Sequence, residues 1–330
     1  MMRTEARMSR RSVCVGAVAS AVALAWRSAG AAVQRVGFIS AGSAVDAANF
    51  LAALRADLAR RGYAEPDGLA FDVRYAEGDL ALLPKLVAEL ERAGVTLIVT
   101  QGVGTTVVVK TPRRIPVVYE FSADPVSAGI ASDLAHPGFN ATGVTLMLAE
   151  LNAKRLQLAK ELVPAMRRVG VIANPLHPGQ ELERAVVDAE AKKLGLTTLA
   201  YATRSEPELE ASLQSLAGAG VDGLLVLSDG FVVAHRHKIL DFALERRVPA
   251  ISGWALMAES GALCTYGPRV SDAFSRIGYF VDRVLKGASV ATLPIEQPTI
   301  VELVINLRTA QRLGIRVPPS LLARADRVIE

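Results

Sequence analysis

The sequence predicts an α/β protein built from two doubly wound lobes. Short runs rich in Val, Ile and Leu alternate with amphipathic stretches from Gln34 onward, and the alternation starts a second time near residue 168. Near-continuous apolar strands separated by helices are what a parallel sheet covered on both faces requires. The length of 330 residues is also about twice the roughly 150 that one domain takes.

Residues 35–40 (RVGFIS) read as a buried strand. The helix at 46–61 then puts Phe50, Leu51, Leu54 and Leu58 on one face and stops at Gly62. A strand at 71–75, a helix at 79–93, a strand at 95–100, a short helix at 103–110 and a strand at 115–120 complete the first series. A helix at 148–163 leads to the second, which runs strand 168–173, helix 180–194, strand 196–202, helix 206–219, strand 221–227, helix 231–246 and strand 248–252. The order then changes. A short strand at 262–266 precedes a helix at 272–286 with Phe274, Ile277, Val281 and Val284 inward, and Pro294 and Pro298 bound a stretch leading to a strand at 299–305 and a closing helix from Asn306. That tail extends neither series, so the chain is expected to cross between the lobes more than once. Such a connection makes a hinge, and the cleft beside a hinge is where small ligands bind.

Residues 1–32 have the order of a secretory signal peptide: a basic start, an apolar centre of about 15 residues, and the small-residue tail Ala29, Gly30, Ala31, Ala32. A membrane span needs about 20 apolar residues. Ser9 to Val13 (SRRSV) hints at the twin-arginine export route. The segment holds five of the 37 basic residues and one of the 33 acidic ones, so the whole net charge of +4 belongs to it. With a formally neutral remainder and only 5% aromatics, nucleic acid is not an expected partner. Of two cysteines, Cys14 would leave with the leader, and Cys264 sits in an apolar run that suits a buried thiol.

Motifs for chemistry are missing. Gln101, Gly102, Val103 and Gly104 follow a strand but complete neither phosphate-binding glycine pattern. There is no nucleophile elbow, and His136, His177, His235 and His237 have no evident catalytic partner. His235 and His237 diverge by about 200° on a helix, which suits no shared metal. Neither cofactor nor metal is expected, and the protein is read as no enzyme.

What remains is a set of small or polar residues where strands end: Ser40, Gly42 and Ser43; Gln101, Gly102 and Thr105; Ser122 and Asp124; Asn174; Ser228 and Asp229; Ser252 and Trp254. In open α/β sheets this edge holds the ligand, over helix N-termini that favour carboxylates. Ser43, Asp46, Asp124 and Asp229 also suit helix N-caps, and both roles stay open.

The segments FSADPVSAGI (121–130) and HPGFNATGVT (136–145) resemble the exported substrate-binding proteins of ABC transporters, in the branch that includes tryptophan and tyrosine binders. So do KRLQL (154–158) with Pro164, LCTYG (263–267), VLKG (284–287), LPIEQP (293–298), Asn306 with Leu313 and Gly314, and PPSLLARADRVIE (318–330). The resemblance spans the mature chain, with Phe139 where a second Gly is usual and Ala262, Leu263, Cys264 where Gly-Leu-Met is commoner. It implies a type I periplasmic-binding fold: two three-layer lobes, three crossovers, and hinge closure on a small solute. Lobe one would be 33–145 plus 265–297, and lobe two 146–264 plus 298–330.

The function so implied is that of a periplasmic solute receptor of an ABC importer, taking an amino acid or an aromatic or other organic acid and docking as a monomer on permease subunits in the inner membrane. Expected ligand contacts are Ser40, Gly42, Ser43, Gln101, Gly102, Thr105 and Ser122 from lobe one, with Asn174, Asp229 and Trp254 from lobe two. Asp229 would take an ammonium group, and Trp254 or Tyr266 would wall the side chain. The alternative is a periplasmic sensing subunit presenting the same lobes to a membrane kinase or chemoreceptor. A transcription regulator is disfavoured because the leader stands where a helix-turn-helix would be needed, and an exported enzyme would need to show turnover.

Overall fold

The computed structural model of the chain describes residues 33–146 and 149–330, and the expected signal segment with Cys14 lies outside the described residues. Among the described residues, no helix is long and apolar enough to cross a membrane.

The first lobe is a five-stranded sheet of β1 (Gln34–Ser40), β2 (Leu69–Tyr75), β3 (Leu97–Gln101), β4 (Val117–Phe121) and β5 (Ala141–Thr145). They lie in the order β2-β1-β3-β4-β5, all parallel. Successive strand residues face opposite ways, and each face has a helix layer. Phe38, Val99 and Val118 pack with α1 (Ala44–Arg60), through Phe50, Leu54 and Leu58. Ile39, Ile98 and Tyr119 pack instead with α2 (Leu83–Arg92) and α3 (Thr105–Lys110). That two-sided burial is why the strands read as unbroken apolar runs.

The second lobe holds β6 (Arg168–Ala173), β7 (Thr197–Ala202), β8 (Gly223–Val226), β9 (Ala250–Ser252), β10 (Cys264–Pro268), β11 (Val301–Asn306) and β12 (Arg327–Ile329). Their order is β12-β11-β10-β9-β8-β6-β7, with only the β10–β11 pair antiparallel. One face packs with α4 (Ala149–Leu162) and α5 (Gln180–Lys193), and with α11 (Leu307–Leu313) and α12 (Pro319–Leu322). The other packs with α6 (Glu206–Gly218), α7 (Gly230–Ala234), α8 (Arg236–Glu245) and α9 (Ala255–Glu259). α10 (Val270–Leu285) returns to the first lobe, burying Ile277, Val281 and Val284 against it.

The chain passes between the lobes three times: from β5 to α4, from β10 to α10, and from Pro298 to β11. Strand β10 pairs with β11 from Cys264 to Pro268 and with β9 through Cys264 and Thr265.

Two differences from the expected elements have local causes. Strand β5 has a single aliphatic residue larger than alanine, Val144, yet all five of its residues are buried. A Cβ on Gly143 would stand 1.9 Å from the Tyr119 carbonyl oxygen, so only glycine lets β5 lie this close to β4. The expected helix at 231–246 is two helices, parted at His235, whose backbone leaves the helical region (φ −95°, ψ 14°). Its ring Nδ1 is 2.9 Å from the Phe231 carbonyl oxygen, within hydrogen-bond reach.

Candidate functional site

Parallel strands all end at one edge, so the residues following them converge there. The segments after β1, β2, β3 and β4 in the first lobe, and after β6, β7, β8 and β9 in the second, wall a single cleft of about 680 Å³. Nine of the eleven sequence-predicted residues lie on its wall: Ser40, Gly42, Ser43, Gln101, Gly102, Ser122, Asn174, Asp229 and Trp254.

The other two point elsewhere. Thr105 is fully buried and its hydroxyl donates to the Glu120 carbonyl oxygen at 3.3 Å, tying α3 to β4. Tyr266 packs against the second lobe's core, and its carbonyl oxygen accepts from Arg155 Nε at 2.8 Å. Both sit one side-chain direction away from the cleft, and a count along the sequence does not reveal that direction.

Several polar groups on the wall are already committed. Ser43 and Asp46 form a reciprocal cap at the start of α1, with Ser43 N–H donating to Asp46 Oδ2 at 2.8 Å. Asp229 caps α7 through Oδ1, which accepts from Phe231 N–H at 2.9 Å and Val232 N–H at 3.4 Å. The same oxygen accepts from Asn174 Nδ2 at 3.1 Å. Ser43 and Asp229 therefore do cap their helices, and among the described residues all the hydrogen bonds of Asp229 fall on Oδ1. Ser40 Oγ accepts from Gly42 N–H at 3.2 Å, which holds the first loop closed on itself.

Residues that the sequence reading passed over complete the wall: Phe50 and Phe274, Arg204 with Glu208, Phe231, and above all Glu120. Glu120 ends the apolar run Val117, Val118, Tyr119. A carboxyl at the end of a strand buried on both faces was the available signal. It is only 4% exposed, and its Oε1 has no hydrogen-bond partner. Burial, and then the charge of Asp229, push its pKa up to about 8, against a lowering hydrogen bond from the Gly102 backbone. Trp254 Nε1 is likewise buried without an acceptor. Apolar and aromatic walls with a few convergent polar atoms are the usual character of a small-molecule pocket.

Ser122, His177 and Glu183 lie in the order of a hydrolase triad, with Ser122 Oγ bonded to His177 Nε2 and Glu183 Oε2 3.5 Å from His177 Nδ1. The protons do not follow that order. Gly179 N–H donates to His177 Nδ1 at 3.2 Å, so the ring hydrogen is on Nε2 and is donated to Ser122 Oγ. An imidazole in that tautomer cannot accept the serine proton. Burial also raises the Glu183 pKa, against the charges of His177 and Arg155. His177 thus joins the two lobes as a structural donor.

The sequence matches the family of ABC transporter substrate binding proteins over residues 40–329. The chain belongs to that family. It is 25% identical over 260 residues, 78% of this chain and 74% of the relative, to the tyrosine-binding protein of Clostridioides difficile (strain R20291). Its fold matches that of the ABC domain of Streptococcus pneumoniae solved in complex with L-Trp, with a TM-score of 0.79 at 25% identity, over 90% of this chain and 100% of that one. A conserved domain protein from Vibrio cholerae matches equally in fold, with a TM-score of 0.79 at 24% identity, over 90% and 99% of the two chains. The two lobes and three crossings are the type I periplasmic-binding arrangement of this substrate-binding family.

Proposed function

We propose that this protein is the exported solute receptor of an ABC importer. It takes a small amino-acid-like solute between its lobes and delivers it, by closing, to permease subunits in the inner membrane. The observation that carries this reading is the cleft itself, walled by the strand ends of both lobes in a chain matched to the family over nearly its whole length. The tyrosine-binding relative and the L-Trp complex support an amino acid as the solute class.

In this reading lobe one is 33–145 with α10 and the segment to 297, and lobe two is the rest of the described chain. Ser40, Gly42, Ser43, Gln101, Gly102 and Ser122 meet the solute from the first lobe, while Asn174, Asp229 and Trp254 meet it from the second. Backbone N–H groups at the start of α1 suit a carboxylate. No bond is made or broken. Affinity comes from desolvating the guest and from donors held in place beforehand, and closure follows because only the closed form contacts the solute on both sides.

A thermal-shift screen of the exported protein against amino acids, aromatic acids and small organic acids tests the reading. A true solute raises the melting temperature progressively with its concentration. A protein that no compound in any of these classes stabilises is not such a receptor.

A further inference from the structure

The charged lining of the cleft is one-sided: Asp46, Glu77, Asp79, Glu120, Glu208 and Asp229 face Arg204 alone. Arg204 is itself held by Glu208 at 2.6 Å, so no lining cation is left over for a guest. Asp46 and Asp79 are occupied in capping turns. Glu120 is occupied only in part, by the Gly102 backbone N–H. It is buried at the cleft wall with Oε1 unmatched, and a buried polar atom left without a partner is unfavourable. Asp229 lines the same space from the other lobe, and with its three hydrogen bonds all on Oδ1, its Oδ2 is available. Two carboxyls brought together from opposite lobes repel if both ionise, and the Asp229 charge already acts on Glu120. A cationic nitrogen removes that repulsion and supplies the missing donors.

We propose that Glu120 and Asp229 form a two-lobe clamp for a nitrogen cation bearing at least two N–H bonds, an ammonium or guanidinium group, and that Glu120 makes the cleft select for it. Phe50, Phe231, Trp254 and Phe274 line the same cleft and provide apolar and cation–π surface for the rest of the guest. Among the cleft-lining residues, Trp254 Nε1 is the other buried atom without a partner, and an acceptor on the guest would match it. This deepens the receptor reading and rests on it. Within the classes that reading admits, it excludes plain organic acids.

The test is a thermal-shift and calorimetric comparison using the protein purified after export. Four probe sets are used: amines and guanidines, amino acids, plain carboxylic acids, and neutral sugars. Every probe that stabilises the protein is expected to carry a cationic nitrogen. Glu120→Gln, close in shape and without charge, is expected to weaken that binding at least tenfold while the unliganded melting curve stays cooperative. Asp229→Asn, which keeps a capping side chain, is expected to weaken it as well. Stabilisation by plain acids overturns the clamp and leaves the receptor standing, as does cation binding that Glu120→Gln does not change, whereas stabilisation by neutral sugars alone overturns both. If no probe of any set binds, the receptor reading fails and the clamp falls with it.

Discussion

Ser122 and His177, 55 residues apart in sequence, share a buried hydrogen bond that joins the first lobe to the second. The bond lies beside the first passage between the lobes, where Thr145 Oγ1 donates to the Ala123 carbonyl oxygen at 2.6 Å. It therefore fixes the lobes near their hinge. Ser122→Ala leaves His177 Nε2 buried without an acceptor, a loss expected to cost about 1–3 kcal/mol. Urea unfolding measures it, and an unchanged midpoint would show that the bond contributes nothing.

Glu120 sets a pH dependence. Burial first, then the Asp229 charge, carry its carboxyl from 4.5 to about 8 in the folded protein. Between those values the folded state keeps a proton that the unfolded chain has lost. Stability from this group is then complete below the lower value and is lost as pH rises through the upper one. The melting temperature of the unliganded protein should fall between about pH 5 and pH 8, and Glu120→Gln should flatten the slope. A parent curve that rises across this window contradicts the assignment.

Asp229 serves as a helix cap and, in our reading, as a ligand group, and two substitutions separate the roles. Asp229→Ala removes the cap of α7 and should lower stability by about 1 kcal/mol while abolishing solute binding. Asp229→Asn keeps a capping oxygen, so the melting temperature should stay near the parent's while affinity still drops. Equal affinity in the parent and the Asn variant would leave only the cap.

Two glycines should respond oppositely to alanine. At Gly143 the new Cβ meets the Tyr119 carbonyl oxygen at 1.9 Å and its nitrogen at 2.8 Å, so β4 and β5 must separate. Gly143→Ala is expected to cost several kcal/mol, among the large values that buried steric conflict produces. Gly218, at the end of α6, has nothing within 4 Å of that position and lacks a positive φ. Gly218→Ala is expected to gain about 0.4–1 kcal/mol, mainly by restricting the unfolded chain. Thermal unfolding of the two variants decides both.

The sequence by itself determined the βα rhythm, because strands buried on both faces must be apolar and the helices over them must be amphipathic. It also located the edge where polar residues gather, and so reached Ser40, Gln101, Ser122, Asn174, Asp229 and Trp254. It did not reveal β5, where β4 lies so close that position 143 must be glycine, nor the parting of α7 from α8 at His235. Only the tertiary structure decided which strand-end side chains face the cleft, turning Thr105 and Tyr266 away and leaving Glu120 there unmatched. It alone brought His177 to Ser122 and Asp229 within reach of the charge on Glu120. Those pairings join residues of different lobes, and local periodicity carries no record of contacts made only when separate sheets close on one another.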